Sequence, residues 1–413
     1  VRNKAGEVKT RLAVGLLLAV TFASWLAPGP ALAGPFREHS SVLAGTSSNS
    51  LDAISCPSIT FCMAVGTSTD TSGDFPLSEK WNGTTWSRGG MPDPSSSTYA
   101  LVFGVSCTSS TSCTAAGSYR NPGKTGNLLA FAEHWNGRTW AISVLGAPKA
   151  PAGSVTNAEA VSVSCTSATR CRAVGDDANQ TYGTDVVEVW SWNGSSWTWV
   201  TVPKPSGSTA YALDSISCTS TSYCVATGLR ETVVGGYYVV VTLAESWNGS
   251  SWTLRPSSSP KSALPPANLD VSCRASRICF AGGAYSNTSG SEYTLSERWS
   301  GTSWSTLPTK NVPGDQLNSF AAISCTATTC IAAGNSQDTN TGNTVTLAEY
   351  WNGSSWSVMH TTNVPGGNDN QFNGVSCAST NACTAVGEDN AGAGLSTLIE
   401  RWNGKTWALQ HAP

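Results

Sequence analysis

Apolar and polar positions alternate in short bursts along most of this chain. In residues 320–334, "FAAISC" reads as a strand of small and β-branched residues, "TATT" as a tight loop, and "CIAAG" as a second strand ending in Gly334. A loop rich in Gly, Asn, Asp and Ser follows. "TVTLAEYW" then reads as a third strand, "NG" as a turn and "SSWSVMH" as a fourth. Period-two alternation bounded by turn formers is the mark of strands. The pattern recurs: the first cysteines of successive units lie 51, 58, 53, 55, 52 and 52 residues apart. Four short strands repeated at about 50 residues suggest propeller blades. The expected fold is therefore all-β, a seven-bladed β-propeller. Its blades fall at approximately 51–97, 98–155, 156–208, 209–262, 263–315, 316–367 and 368–413. Every unit carries its own fourth strand, so the ring is expected to close by packing between blades alone.

Each unit ends its third strand with a version of "EYWNGSSW" (349–356). Asn-Gly between alternating strands signals a two-residue type I′ hairpin, which needs positive φ at both central residues. That turn would set Glu349 directly opposite Trp356. The same pairing is expected for Glu79/Trp86, Glu133/Trp140, Glu245/Trp252, Glu297/Trp304 and Glu400/Trp407. The third unit reads "EVWSWNGSSW", which puts Trp190 in the glutamate's place, opposite Trp197. An aromatic can stand in for the carboxylate there, so the motif reads as a structural joint, with the tryptophans packing on the next blade and the glutamate accepting indole or backbone N–H groups.

Fourteen cysteines form seven pairs: Cys56/Cys62, Cys107/Cys113, Cys165/Cys171, Cys218/Cys224, Cys273/Cys279, Cys325/Cys330 and Cys377/Cys383. Six are C-x5-C and the sixth is C-x4-C with unchanged flanks, as when a hairpin loop varies over a fixed base. One cross-strand disulfide per blade is expected. A metal site would need four converging ligands, and the four histidines (His39, His134, His360, His411) are scattered. Buried reduced cysteines are the remaining alternative. No cofactor is expected.

The first 33 residues change the cellular picture. Arg2, Lys4, Lys9 and Arg11 precede the apolar "LAVGLLLAVTFASWLA" (12–27), and "ALA" (31–33) offers a cleavage site. This is the layout of a secretory signal, so 1–33 is expected to be removed. Residues 34–50 are expected to form an N-terminal extension or edge strand. Export to an oxidising compartment fits the disulfides, and the mature chain is expected to be secreted, extracellular, free of the membrane and monomeric. Losing 1–33 removes four basic residues and Glu7, taking the formal net charge from −3 to −6. No basic stripe remains, which argues against nucleic acid as a partner.

An apolar strand ending in Gly, then a loop, an aromatic, a turn and Trp resemble the Kelch repeat, with tighter spacing between the aromatics. "W-N-G-x-x-W" also resembles the sialidase-type Asp-box, S-x-D-x-G-x-x-W. Gly353 and Trp356 match it, while Trp351 stands where the Asp would be. The resemblance covers roughly 51–413, is similar to that of secreted bacterial repeat proteins, and implies a propeller without implying a function. The cysteine pairs belong to neither pattern.

Variation concentrates in the loops between second and third strands, which share one face with the fourth-to-first loops. Variable loops on a rigid scaffold are the expected working parts. Candidate ligand-binding residues there are Tyr119, Arg120, Tyr182, Tyr237, Tyr238, Tyr285 and Tyr293, with Tyr237 and Tyr238 near the tip of a hairpin turning at Gly235-Gly236. Asp70, Asp74, Asp176, Asp177, Asp185, Asp338, Glu388 and Asp389 accompany them, either as ligand groups or simply as turn formers. No G-x-S-x-G, H-E-x-x-H or phosphate loop occurs. The primary expectation is a non-catalytic propeller binding an extracellular glycan or protein. The alternative is a glycan-active hydrolase or lyase with acids gathered at the central pore.

Overall fold

The structure is a computed structural model and describes residues 48–94, 97–120, 127–146, 157–179, 184–234, 236–257, 264–287, 290–390 and 394–413. The expected signal (1–33) lies outside the described residues, as does 34–47. Every described regular element is a strand, and the strands form seven antiparallel four-stranded blades in sequential order. Blade 1 runs Ser48–Ser58, Phe61–Asp70, Gly73–Trp81 and Trp86–Gly89. Blades 6 and 7 touch through one parallel bridge, Thr344 to Asp369. The same contact recurs at Asp74–Tyr99, Leu128–Asn157 and Glu292–Leu317, so it is a normal joint between neighbouring blades.

The joints are alike all the way round. Seven buried apolar clusters each take side chains from two successive blades. One of them packs Val386 and Ile399 of blade 7 on Leu51, Ile54 and Leu77 of blade 1. Among the described residues no strand is shared between the first and last blades. Closure rests on packing, with Ser48 Oγ accepting from Leu395 N at 3.3 Å and Leu51 O from Asn373 Nδ2 at 3.2 Å.

A second set of bonds repeats without exception. Each blade's first strand carries Ser-Cys at or near its end, and the cysteine N–H donates to the serine Oγ of the preceding blade. The pairs are Cys107 to Ser55, Cys165 to Ser106, Cys218 to Ser164, Cys273 to Ser217, Cys325 to Ser272 and Cys377 to Ser324, at 2.9–3.0 Å. Cys56 to Ser376, 2.9 Å, closes the circle.

The cysteines are joined as the spacing predicts, and none is free. The disulfides are Cys56–Cys62, Cys107–Cys113, Cys165–Cys171, Cys218–Cys224, Cys273–Cys279, Cys325–Cys330 and Cys377–Cys383. In blades 2 to 7 the two cysteines face each other directly across the first and second strands. In blade 1 the register shifts at this point, between Ser55 and Ser58, and the bond still forms. Each disulfide clips the first strand to the second and contributes about 2 kcal/mol in the chain-entropy picture. The second cysteine is also the partner of a tryptophan on the third strand, as Cys62 is of Trp81 and Cys330 of Trp351.

Just before that Ser-Cys, the first strand bulges. The register skips a residue between Leu51 and Ala53, Val102 and Gly104, Leu213 and Ser215, Phe320 and Ala322, and Phe372 and Gly374. The bulge brings a first-strand carbonyl against a glycine of the second strand. A Cβ on Gly228 would sit 2.1 Å from Ala212 O, and one on Gly175 1.8 Å from Glu159 O. Only glycine fits there. A bulge re-aims one side chain, and here it turns that side chain toward the propeller axis.

The Asn-Gly turn differs from expectation. Trp351 pairs with Trp356 and Glu349 with Val358, so the loop is four residues, Asn352 to Ser355. Glu349 therefore does not oppose Trp356, and the other five glutamate–tryptophan pairs fail in the same way. In the third blade Trp190 does take the glutamate's position, yet it faces Trp199, while Trp192 pairs with Trp197. The cause is the asparagine side chain. Asn352 Oδ1 accepts from Ser354 N and Ser355 N at 2.9 and 3.0 Å, an Asx turn that needs positive φ only at Gly353 (+103°). The shift creates a tryptophan pair in every blade, with ring centroids 5.5–5.9 Å apart. Four of the leading tryptophans donate to a carbonyl of their own cysteine loop, as Trp247 Nε1 does to Thr221 O at 3.1 Å.

Asn352→Ala should cost about 1–2 kcal/mol in chemical denaturation, the usual scale for a lost side-chain cap. Asn352→Asp, which keeps the acceptor, should cost well under half of that. Equal losses would refute the Asx-turn assignment.

Candidate functional site

The second-to-third loops and the fourth-to-first loops share a face, because the parallel bridges join the start of a third strand to the start of the next first strand. The structure brings together few of the predicted loop residues. Tyr119 is 5% exposed and packs edge-on against Phe131 at 5.8 Å, which leaves little surface for a ligand. Its position on an alternating strand, facing blade 1, explains the burial. Arg120 is exposed and lies over Tyr99, 4.7 Å from the ring centroid. Tyr285 and Tyr293 do meet, at 5.6 Å, and Asn287 Nδ2 donates to the Tyr293 hydroxyl at 3.2 Å. Tyr182 lies outside the described residues. The hairpin carrying Tyr237 and Tyr238 forms, with Val234 opposite Tyr237 and Gly236 at φ +87°, but the two tyrosine side chains lie outside the described set.

Several of the predicted acids act as turn formers. Asp70 accepts from Ser72 N at 2.6 Å, Asp338 from Asn340 N at 2.8 Å, and Asp74 from Thr69 Oγ1 at 2.7 Å. Asp177 accepts from Asn157 N at 2.9 Å. The Asp185 side chain is outside the described set.

The paired cysteines are core residues and offer no chemistry to a ligand. Cys62, Cys113, Cys171, Cys224, Cys279, Cys330 and Cys383 are each 0–3% exposed, because the second strand of a blade is covered on both faces. Cys56 is buried too, and the first cysteines of the other six blades are half-buried at the joints. Cystine in such a place is a staple with no thiolate to serve as nucleophile or metal ligand.

The chemistry gathers instead on the axis. A cavity of about 330 Å³ is lined by all seven first strands. Its walls include Asp52, Glu159, Asp214 and Asp270, with Phe103, Val161, Leu269, Ala321 and Asn373 between them, and no Lys, Arg or His. Asp52, Phe103, Val161, Asp214, Ala321 and Asn373 are the residues left over at the bulges, each four positions before a blade's first cysteine. Asp270 is one residue nearer its cysteine. It is fixed by Ser215 Oγ at 2.5 Å and Ile323 N at 2.7 Å, a bridge from blade 4 through blade 5 to blade 6.

These carboxyls reach the channel solvent yet have protein on every side, so ionisation is poorly solvated. Asp52 is pushed up to about 7, first by burial and then by the charge of Glu388. Burial raises Asp214 to about 7, a backbone N–H from Leu269 opposes it, and neighbouring Asp270 adds to it. Asp270 and Glu159 are also raised, chiefly by burial. Near neutral pH the channel thus presents a mixture of carboxyl and carboxylate, able to donate and accept hydrogen bonds while keeping a negative field. Among the described residues no group of three or more His, Cys, Asp or Glu is arranged to hold a metal ion.

A second hollow, about 710 Å³, lies on the cysteine-loop face between blades 1 and 2, bordered by Trp81, Trp135, Lys80, Asn82 and the Ser/Thr-rich loop 108–111. Lys80 stands 5.4 Å over Trp135 there. At three other joints bulkier groups sit closer to the corresponding ring: Arg401 over Trp81 at 4.2 Å, His134 on Trp192 at 4.2 Å, and Arg172 over Trp247 at 3.9 Å.

Solved structures share this architecture at very low identity. The chain superposes on an ulvan lyase, a polysaccharide lyase of family PL25 bound to -[GlcA(1-4)Rha3S]-, with a TM-score of 0.54 at 8% identity, over 88% of this chain and 96% of the lyase. The propeller domain of the trilobed protease from Pyrococcus furiosus, described as having an open velcro topology, gives 0.51 at 9% identity, over 87% and 96%. YCF48 bound to D1 peptide gives 0.48 at 12%, over 90% and 98%. No family model and no curated protein matches the sequence. These likenesses establish the β-propeller fold alone.

Carbon-13 NMR of aspartate carboxyls should show two axial groups, Asp52 and Asp214, titrating near pH 7. Asp338, half-exposed and capping Asn340, should titrate below the ordinary aspartate range. Ordinary midpoints for Asp52 and Asp214 would mean the channel is wider and wetter than described.

Proposed function

We propose that this protein is a secreted, non-catalytic propeller that binds an extracellular glycan or protein segment on its variable-loop face, with the ligand entering the mouth of the axial channel. The observation that carries this reading is the channel itself: four carboxyls from blades 1, 3, 4 and 5, with no basic residue lining it. Such a lining favours neutral polyols or cationic groups and repels anions. An anionic polysaccharide of the kind bound by the ulvan lyase is thus a poor fit despite the shared fold. Seven disulfides support an oxidising compartment, and among the described residues no helix is long and apolar enough to cross a membrane. The Kelch- and Asp-box-like residues support a scaffold role, because Asn352, Trp351 and Trp356 make the turn and the blade packing.

The second reading, a glycan-active enzyme, is favoured by the pairing of Asp214 with Asp270. One carboxyl that keeps its proton near neutral pH beside another is the raw material for general acid–base chemistry. The two readings separate in one set of experiments. Neutral, aminated and anionic oligosaccharides and basic peptides are screened by calorimetry against wild type and Asp52→Asn/Asp214→Asn. Binding of a neutral or cationic ligand that weakens about tenfold or more in the variant, roughly 1.4 kcal/mol, with the ligand recovered intact, supports the binder. Turnover lost in both Asp214→Asn and Asp270→Asn supports the enzyme. Preference for anionic ligands, or indifference to the substitutions, contradicts an axial site.

A further inference from the structure

The recurrent glutamate of the third strand has a consequence apart from ligand binding. Glu79, Glu133, Glu245, Glu297, Glu349 and Glu400 are each 0–1% exposed, and those with a cross-joint bond reach the preceding blade. In blade 3, where Trp190 takes that position, Glu188 two residues earlier is also 0% exposed. It stands where the other blades carry Leu77, Phe131, Leu243, Leu295, Leu347 and Leu398. Every blade therefore buries a carboxyl group in or beside a joint.

Few cations balance them. Arg88 approaches Glu79 at 3.8 Å, and Thr397 Oγ1 of blade 7 donates to it at 3.2 Å. Glu349 accepts from Lys310 N at 2.9 Å and Thr294 Oγ1 at 3.3 Å, with the Lys310 ammonium as its charged neighbour. Glu400 accepts from Thr362 N at 3.0 Å. Lys310 and Thr362 both stand six residues after the second tryptophan of the preceding blade. At that offset, the loops facing Glu133 and Glu245 carry Pro92 and Pro203, and proline has no N–H to give. Among the described residues neither carboxyl has a hydrogen-bond partner. The charged neighbour of Glu133 is Asp93, of the same sign, and Glu245 faces Tyr211. Glu188, likewise without a bond among the described residues, faces Asp176 and Asp177. Ser118 Oγ of blade 2 is another buried atom with no bond among those residues.

We propose that the blade joints are proton-loaded: their buried glutamates close the ring as neutral carboxyls, and ionisation as the pH rises through neutrality loosens the propeller. A neutral carboxyl costs far less to bury without a partner than a carboxylate. The shifts agree. Burial raises Glu79, Glu349 and Glu400 to about 7 and Glu245 to about 8, raises Glu188 to about 8 with help from Asp177, and raises Glu133 well above its ordinary value. A group whose folded pKa exceeds its unfolded value binds more protons when folded. Its stabilising contribution is full below the unfolded value of 4.5, falls through pH 5–8, and levels off above that. This is opposite in sign to an ordinary salt-bridged carboxylate.

The test is thermal unfolding of the intact, oxidised chain from pH 4.5 to 8.5 at fixed ionic strength, together with proton release on unfolding at pH 6, read with an indicator dye. The midpoint should be highest at the acid end and fall by about 5 °C or more by pH 8.5. Unfolding at pH 6 should release on the order of three protons or more per chain. Glu133→Gln/Glu245→Gln keeps the shape without the ionisation, so it should flatten the decline and release fewer protons. The axial acids also release protons on unfolding, so if that variant does not fold, the count is taken on Asp52→Asn/Asp214→Asn, where release of about three protons or more supports the joints and release of about one or fewer overturns the proposal. A midpoint that rises or stays level from pH 5 to 8, or unfolding at pH 6 that takes protons up, overturns the proposal.

Discussion

One hydrogen bond, made seven times, sets the geometry of this molecule: a cysteine N–H of one blade held by the serine hydroxyl of the blade before it. Each is worth only about 1 kcal/mol net, less than the apolar clusters at the same joints. Its importance is positional. It fixes where the end of each first strand sits against its neighbour, beside the disulfide that clips that strand to the second. With the strand held at one end by Ser-Cys, and in blades 2, 3, 6 and 7 at the other by the parallel bridge, the bulge between them has one place to go. The bulged side chain then faces the axis.

That sequence of constraints separates scaffold from chemistry. The cysteine loops, Asx turns and tryptophan pairs are bonded to one another and are nearly the same in every blade. The bulge position varies from Asp to Phe, Val, Ala and Asn, while the residue before it stays apolar and the one after it small. Residues freed from joint-making by a bulge are where a repeat protein can differ between blades without harm to the ring. Here the result is a narrow, acidic, cation-free channel. On the proposed axial site, the same four carboxyls would disfavour anionic polymers, a restriction the fold alone does not impose.

Much of the architecture was legible in the sequence, for a physical reason. Seven near-copies of one unit reinforce every local signal, so the strands, the cysteine pairing and the closure by packing could be read from spacing alone. The hairpin register could not, because Asn-Gly suits both a two-residue type I′ turn and a four-residue loop, and the capping by the Asn352 side chain that selects the latter shows only in the structure. Acids at the central pore were an expectation of the alternative reading, but which residues they are was not legible, because period-two alternation says nothing of a bulge, which breaks it. The available clue was a variable residue four before each cysteine, with a glycine four after the pair's second cysteine to make room. Tyr119 misled for the converse reason: next to a variable loop it is still on the strand, and its face of the strand is core. The Ser before each Cys, constant in all seven units, is indistinguishable in sequence from an ordinary strand residue, since its partner lies in the next blade.

The central claim is that the circle is closed at the last joint by the same bond as at the other six. Site-resolved amide hydrogen exchange on the oxidised protein tests it most directly. The account predicts that Cys56 N–H, held by Ser376, exchanges as slowly as the other six cysteine amides. Fast exchange at Cys56 while the rest stay protected would contradict it, showing an arc of blades with a frayed seam.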